Sequence, residues 1–128
     1  MRKDNSPLRH LYVDGNDLLI YKIVLNYVEA ADRVFWERAE ESSFILKSVG
    51  VQALFDILRL IVSVVLESKN VSTQAFVERL APAAHVDFAA ERFRSPSGSG
   101  RTFIRKVLAA NMGLPADLTA EDRQAFVR

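Results

Sequence analysis

Apolar residues crowd the stretch from Val51 to Leu66. Its polar members Gln52, Asp56, Arg59 and Ser63, with Glu67 just beyond, fall within a stripe about 80° wide when each residue advances a helix by 100°. The rest of the circumference is apolar, which predicts a central helix covered by neighbours on most sides. Asp56 and Arg59, three positions apart, are expected to pair on the open stripe. A bilayer span needs about 20 residues with few charges, so this shorter, charged run is read as the core of a helical domain rather than a membrane segment.

A long helical pattern precedes this hub. Leu18, Tyr21, Leu25, Val28 and Phe35, with Val24, Ala31 and Val34 beside them, form the face expected to turn inward. Lys22, Asn26, Glu29, Arg33 and Glu37 form the outward face, where the Glu29–Arg33 and Arg33–Glu37 spacings suit ion pairs. Asn16 or Asp17 is the expected N-cap, and the helix is expected to run to about Ala39. Upstream, residues 1–10 read as a flexible lead-in, Leu11-Tyr12-Val13 as a short extended piece and Asp14-Gly15-Asn16 as a turn. A hairpin continuing through Leu18-Leu19-Ile20 is the alternative to a helix start there. Downstream, Glu40-Glu41-Ser42-Ser43 interrupt the pattern, and Phe44-Ile45-Leu46 form a helical turn or the beginning of a continuous second helix. Gly50 is the expected hinge, where another backbone can come close, with Ser48 as a cap.

Beyond the hub, Ser72 is the expected N-cap of a third helix, with Val71 and Phe76 at the two positions of a hydrophobic staple. That helix should end near Leu80-Ala81, because Pro82 disfavours helical geometry at the residue before it. Val86, Phe88, Ala89 and Phe93 suggest a short helix packing on the hub. A loop over 95–100 leads into a helix carrying Phe103, Ile104, Val107, Leu108 and Met112, which should stop near Gly113 with Pro115 beyond. Thr119 caps a last short helix, with Asp122 as a weak capping-box partner. The sum is an all-α fold: a compact bundle of about five helices around a buried central helix at 51–67, in one domain over 1–128. The chain is read either as that domain alone or as the C-terminal part of a larger protein.

Composition narrows the function. The 128 residues are 49% hydrophobic and 26% charged, as in an ordinary globule. A formal net charge of +1 sets up no global field, so any basic site must be local. Without cysteine there are no disulfides or thiolate metal sites, and with no secretory signal evident the expected location is cytoplasmic. His10 and His85 lack metal-ligand spacing, so neither metal nor cofactor is expected. Glu40-Glu41 and Glu121-Asp122 look like surface or capping acids. His85 reads as a satisfied or exposed histidine, and no serine sits in a nucleophile elbow. No catalytic residue is therefore assigned. Trp36 beside Phe35 has the chemistry to stack a base, but an aromatic pair there is ordinarily core.

One segment has chemical character. Between Glu91 and Lys106, five basic residues face one acid around a Gly/Ser loop that opens a helix. Free amides at a helix N-terminus attract anions, and arginines beside them strengthen a phosphate contact. The expected phosphate-contacting set is Arg92, Arg94, Ser97, Gly98, Ser99, Gly100, Arg101, Thr102, Arg105 and Lys106. The competing reading is a linker whose arginines are simply solvated or cover the core with their stems. A nucleotide-binding P-loop does not fit: Ser95 replaces its first glycine, Arg101 its lysine, and no buried strand leads in.

The run Ser48-Val49-Gly50-Val51-Gln52-Ala53-Leu54-Phe55, followed by Ser97-Gly98-Ser99-Gly100-Arg101-Thr102-Phe103-Ile104-Arg105, resembles the helical C-terminal part of DGQHR-domain proteins, a bacterial family that includes regulators associated with DNA phosphorothioate modification. The resemblance spans roughly residues 18–112. The family's Asp-Gly-Gln-His-Arg string is absent, and Asp14-Gly15 is followed instead by Asn16-Asp17, so no family site residue is carried over. The resemblance implies a DNA-linked modification or defence context. Two functions are therefore expected in competition: a non-enzymatic module contacting nucleic-acid phosphates, with DNA as partner, or a module for protein interaction or homo-oligomerisation, in neither case at a membrane.

Overall fold

A computed structural model describes residues 17–94 and 100–128. Five α-helices appear among them: α1 Asp17–Ala31, α2 Ser48–Ser68, α3 Thr73–Leu80, α4 Gly100–Asn111 and α5 Ala120–Phe126. No strand occurs among the described residues, and the fold is all-α. The lead-in, the Leu11–Val13 piece, the Asp14–Asn16 turn, His10 and the loop residues Ser97, Gly98 and Ser99 lie outside the described residues.

The central helix forms where the hydrophobic run predicts it, and α2 begins three residues earlier, at Ser48. Lys47 rather than Ser48 stands at the cap position, and it makes no side-chain cap bond. Gly50 lies inside α2 rather than at a hinge. A methyl group there would press on the Phe44 carbonyl oxygen and lie 2.6 Å from Ile45 Cα. It is the close approach of the Phe44–Leu46 3-10 turn, and not a bend, that calls for glycine.

Coverage of α2 is narrower than its composition predicts. Gly50, Ala53, Leu54, Ile57, Leu58, Ile61, Val62 and Val65 are buried, a stripe at helical spacing. Leu60 and Val64 remain 51% exposed, and Phe55 36%. The neighbours wrap only about half the rod, because α4 and the Phe44–Leu46 turn take one side while α1 reaches it through the Tyr27 side chain. By length and mean hydropathy, 2.1 over an 18-residue window, α2 also has the composition of a membrane span, and 44% of that window is buried inside this fold.

In α1 the inward face is Ile20, Ile23, Tyr27, Ala30 and Ala31, continued by Val34 and Phe35. The predicted inward residues Leu18, Tyr21 and Leu25 point outward instead, 79%, 64% and 50% exposed. Long-range contacts decide between the two apolar sectors. Tyr27 donates its hydroxyl to the Leu54 carbonyl at 2.5 Å, Phe76 of α3 meets its ring edge-on at 5.3 Å, and Asn26 donates to the Val71 carbonyl. Burial holds the Tyr27 hydroxyl far above its ordinary pKa, so it stays a neutral donor. The helix does not run on to Ala39 as α. After Ala31 it widens into a π turn, Asp32–Trp36, closed by Glu37 N donating to the Asp32 carbonyl. Of the two anticipated pairs on its outer face, Glu29–Arg33 forms at 2.8 Å.

Local signals set the remaining ends. Ser72 accepts from Ala75 N, so the cap forms, and Val71 packs against the core that holds buried Phe76. At the end of α4, Gly113 takes φ +79, and Gly113 N and Leu114 N donate to the Ala110 and Ala109 carbonyls, a Schellman closure. Thr119 caps α5 by accepting from Asp122 N. The short helix expected over Val86–Phe93 is replaced by turns and a 3-10 turn at Glu91–Phe93, though Phe88 and Phe93 are buried as core.

Candidate phosphate-contacting face

The basic segment is split by the fold. Arg92 clamps Asp122 with two hydrogen bonds of 2.9 and 3.1 Å and lies 3.9 Å over the Phe103 ring. Charge, planarity and stacking together make Arg92 a strut between the Glu91–Phe93 turn and α5. The same clamp explains why Asp122 does not complete a capping box: its carboxylate is turned toward Arg92. Arg94 pairs with Glu91 at 3.2 Å where both side chains are largely exposed, an interaction of little energetic weight. Arg92 and Arg94 are thus directed to carboxylates of the fold.

Gly100 is buried as the first residue of α4, and Thr102 is exposed one position past Arg101. Arg101 reaches across to α2 and grips Asp56 in a fork, at 2.6 and 2.7 Å. Asp56 therefore does not form the predicted pair with Arg59. Its partner lies 45 positions away, brought there by α2–α4 packing. The Asp56 side chain is 16% exposed and that of Arg101 46%. The Arg101 hydrogen bonds hold the Asp56 carboxyl below the ordinary aspartate range, opposed by partial burial and helped by the positive charges of Arg101, Arg105 and Arg59. Because the folded-state pKa is depressed, the stabilisation from this pair is present above the unfolded aspartate value and is lost as pH falls through the lower folded value.

Arg105 follows Arg101 by one turn on the same face of α4, half-buried, with Lys106 beside it. Arg59, exposed, stands one turn past Asp56 on α2. Sequence reasoning left Arg59 out, because only the crossing of α2 and α4 places it near Arg101 and Arg105.

The other chemical candidates resolve into structure. His85 Nε2 lies 2.6 Å from Asn111 Oδ1, while the Asn111 amide nitrogen donates to the Val107 and Phe126 carbonyls. That amide orientation leaves Oδ1 as acceptor, so His85 carries its proton on Nε2. Trp36 donates its indole N–H to the Ile45 carbonyl, and Phe35 is buried. A cavity of about 180 Å³ beside the π turn is lined by residues that include Phe35, Phe88, Arg38, Glu40 and Asp87. Among the described residues no cluster of three or more His, Asp or Glu could hold a metal ion. Comparison with protein-family models, curated sequences and solved structures finds no match for the chain.

Proposed function

We propose that this chain is a non-enzymatic helical module that contacts nucleic-acid phosphates, with α4 rather than the whole basic segment carrying the contact. The observation supporting this is the pair Arg101 and Arg105, one turn apart on α4, with a guanidinium that stays about half exposed even while held by a carboxylate. The resemblance to DGQHR-domain proteins favours DNA in a bacterial modification or defence setting. Arg92 leaves the contacting set because Asp122 and the Phe103 ring together fix it as a strut, whereas Arg94, in a weak exposed pair with Glu91, stays free to add a contact. Binding should be measurable in low salt and weaken steeply between about 50 and 200 mM, as counterion release requires. Changing Arg101→Gln together with Arg105→Gln should abolish it while circular dichroism stays helical; undiminished binding by that folded double variant counts against the reading.

A second reading, a protein-interaction or oligomerisation module, is favoured by the outward apolar stripe of α1. Leu18, Tyr21, Leu25 and half-buried Val28 repeat at intervals of three, four and three, the spacing of a seam that meets another helix. Sedimentation velocity should then show a concentration-dependent dimer that Tyr21→Glu dissolves; a single monomeric species at every concentration removes this reading.

A further inference from the structure

From the crossing of α2 and α4 we infer that the phosphate site is a two-helix face, in which Arg59 of the central helix joins Arg101 and Arg105, and Asp56 sits among them in the place a phosphate would take. The inference deepens the nucleic-acid reading above and rests on it.

The geometry is carried by one fixed point. The forked Asp56–Arg101 contact locks the register of the two helices, so the residues one turn along each, Arg59 and Arg105, fall beside it. Among the described residues neither Arg59 nor Arg105 has a carboxylate within salt-bridge reach. Three guanidiniums therefore act on one carboxylate, Arg101 by hydrogen bonds and Arg59 and Arg105 by their charge, a local excess of two positive charges in a chain whose net charge is only +1. The next acid on the same stripe of α2, Glu67, lies about 12 Å beyond Arg59 along the axis at 1.5 Å per residue. Gln52 and Ser63, both exposed on this stripe, add neutral hydrogen-bonding groups.

Asp56 has two effects that oppose each other. Its carboxylate accepts two parallel N–H bonds from Arg101, the fork geometry that guanidinium offers equally to a phosphate. It thus pre-orders Arg101, yet it also repels an approaching phosphate and competes for the same donors. Arg59 and Gln52 are exposed and Arg101 is about half exposed, an accessible helix face that suits a phosphodiester backbone running across it.

The test uses the intact chain and a short fluorescein-labelled DNA duplex, titrated by anisotropy across a salt series, with tripolyphosphate as competitor. Arg59→Gln leaves the Asp56–Arg101 fork in place and should weaken binding. It should also make the slope of log affinity against log salt shallower by about 0.9, one phosphate contact. Asp56→Asn should tighten binding at every salt concentration even as it lowers thermal stability. Wild-type binding by Arg59→Gln, or weaker binding by folded Asp56→Asn, overturns the two-helix site while leaving the nucleic-acid reading standing. No binding by the wild-type chain at low salt overturns both. Displacement of the duplex by equimolar tripolyphosphate would assign the site to free polyphosphate and overturn its assignment to a nucleic-acid backbone.

Discussion

Phe93→Ala is expected to remove about 3–5 kcal/mol of stability, the range for deleting a fully buried aromatic ring. Phe93 is 1% exposed and lies at the centre of an aromatic group, with ring centroids 5.0 Å from Phe88, 5.2 Å from Phe103 and 4.9 Å from Phe126. Phe88 extends the group to Phe35 at the π turn. The ring therefore joins its own 3-10 turn to α4 and α5, and its removal leaves a void that these elements would have to collapse into. Against a total stability of about 5–15 kcal/mol for a small domain, such a loss leaves little margin. Urea unfolding followed by circular dichroism measures it, with Phe55→Ala at the exposed edge of α2 as the mild comparison. A loss below about 1 kcal/mol, the size of an ordinary surface or conservative change, would contradict this placement of Phe93.

Gly50→Ala is expected to destabilise, and here the sign is the test. Helix propensity alone says the reverse, since alanine in a helix interior is favoured over glycine by about 1 kcal/mol. The added Cβ, however, would meet the Phe44 carbonyl oxygen, Ile45 Cα at 2.6 Å and Ile45 C at 2.7 Å, all backbone atoms that cannot rotate aside. Relief requires the Phe44–Leu46 turn to lift from α2. With it would go the Trp36 bond to the Ile45 carbonyl and the Phe44 N bond to the Phe88 carbonyl. Overpacking of this kind costs about 1–3 kcal/mol or more, and two disturbed hydrogen bonds add to it, so the clash outweighs the propensity gain. A rise in the urea midpoint of the alanine variant would show that the turn does not press on α2 as described.

The elements legible in the sequence were those whose signals are local. The Ser72 cap, the Gly113 stop and the Thr119 cap each need only a few neighbouring residues, and each forms where those residues stand. The inward face of α1 was not legible in that way. Its polar residues occupy one narrow sector, leaving apolar sectors on either side of the circumference, and periodicity cannot rank one above the other. Tyr27 and Asn26 settle the choice through partners 27 and 45 positions distant. The candidate site divides along the same line. Arg101 and Arg105 were visible as a basic pair at helical spacing, whereas the capture of Asp56 by Arg101 and the arrival of Arg59 depend on how α2 and α4 cross. Arg92 was visible as a charge, but its commitment to Asp122 depends on where α5 docks.

The π turn at Asp32–Trp36 has a consequence for how this helix tolerates changes in length. A π turn holds one residue more than an α turn would in the same place, so shortening the segment by one lets the hydrogen-bond ladder continue unbroken. Keeping every residue and forcing an unbroken α ladder here would improve local regularity, yet it would rotate everything after the turn by about 100°. Trp36 would swing away from the Ile45 carbonyl, and Val34 and Phe35 would lose their shared access to the core. The irregular turn thus acts as a phase adjuster between the first helix and the link to the second, and a more ideal helix here would make a worse protein.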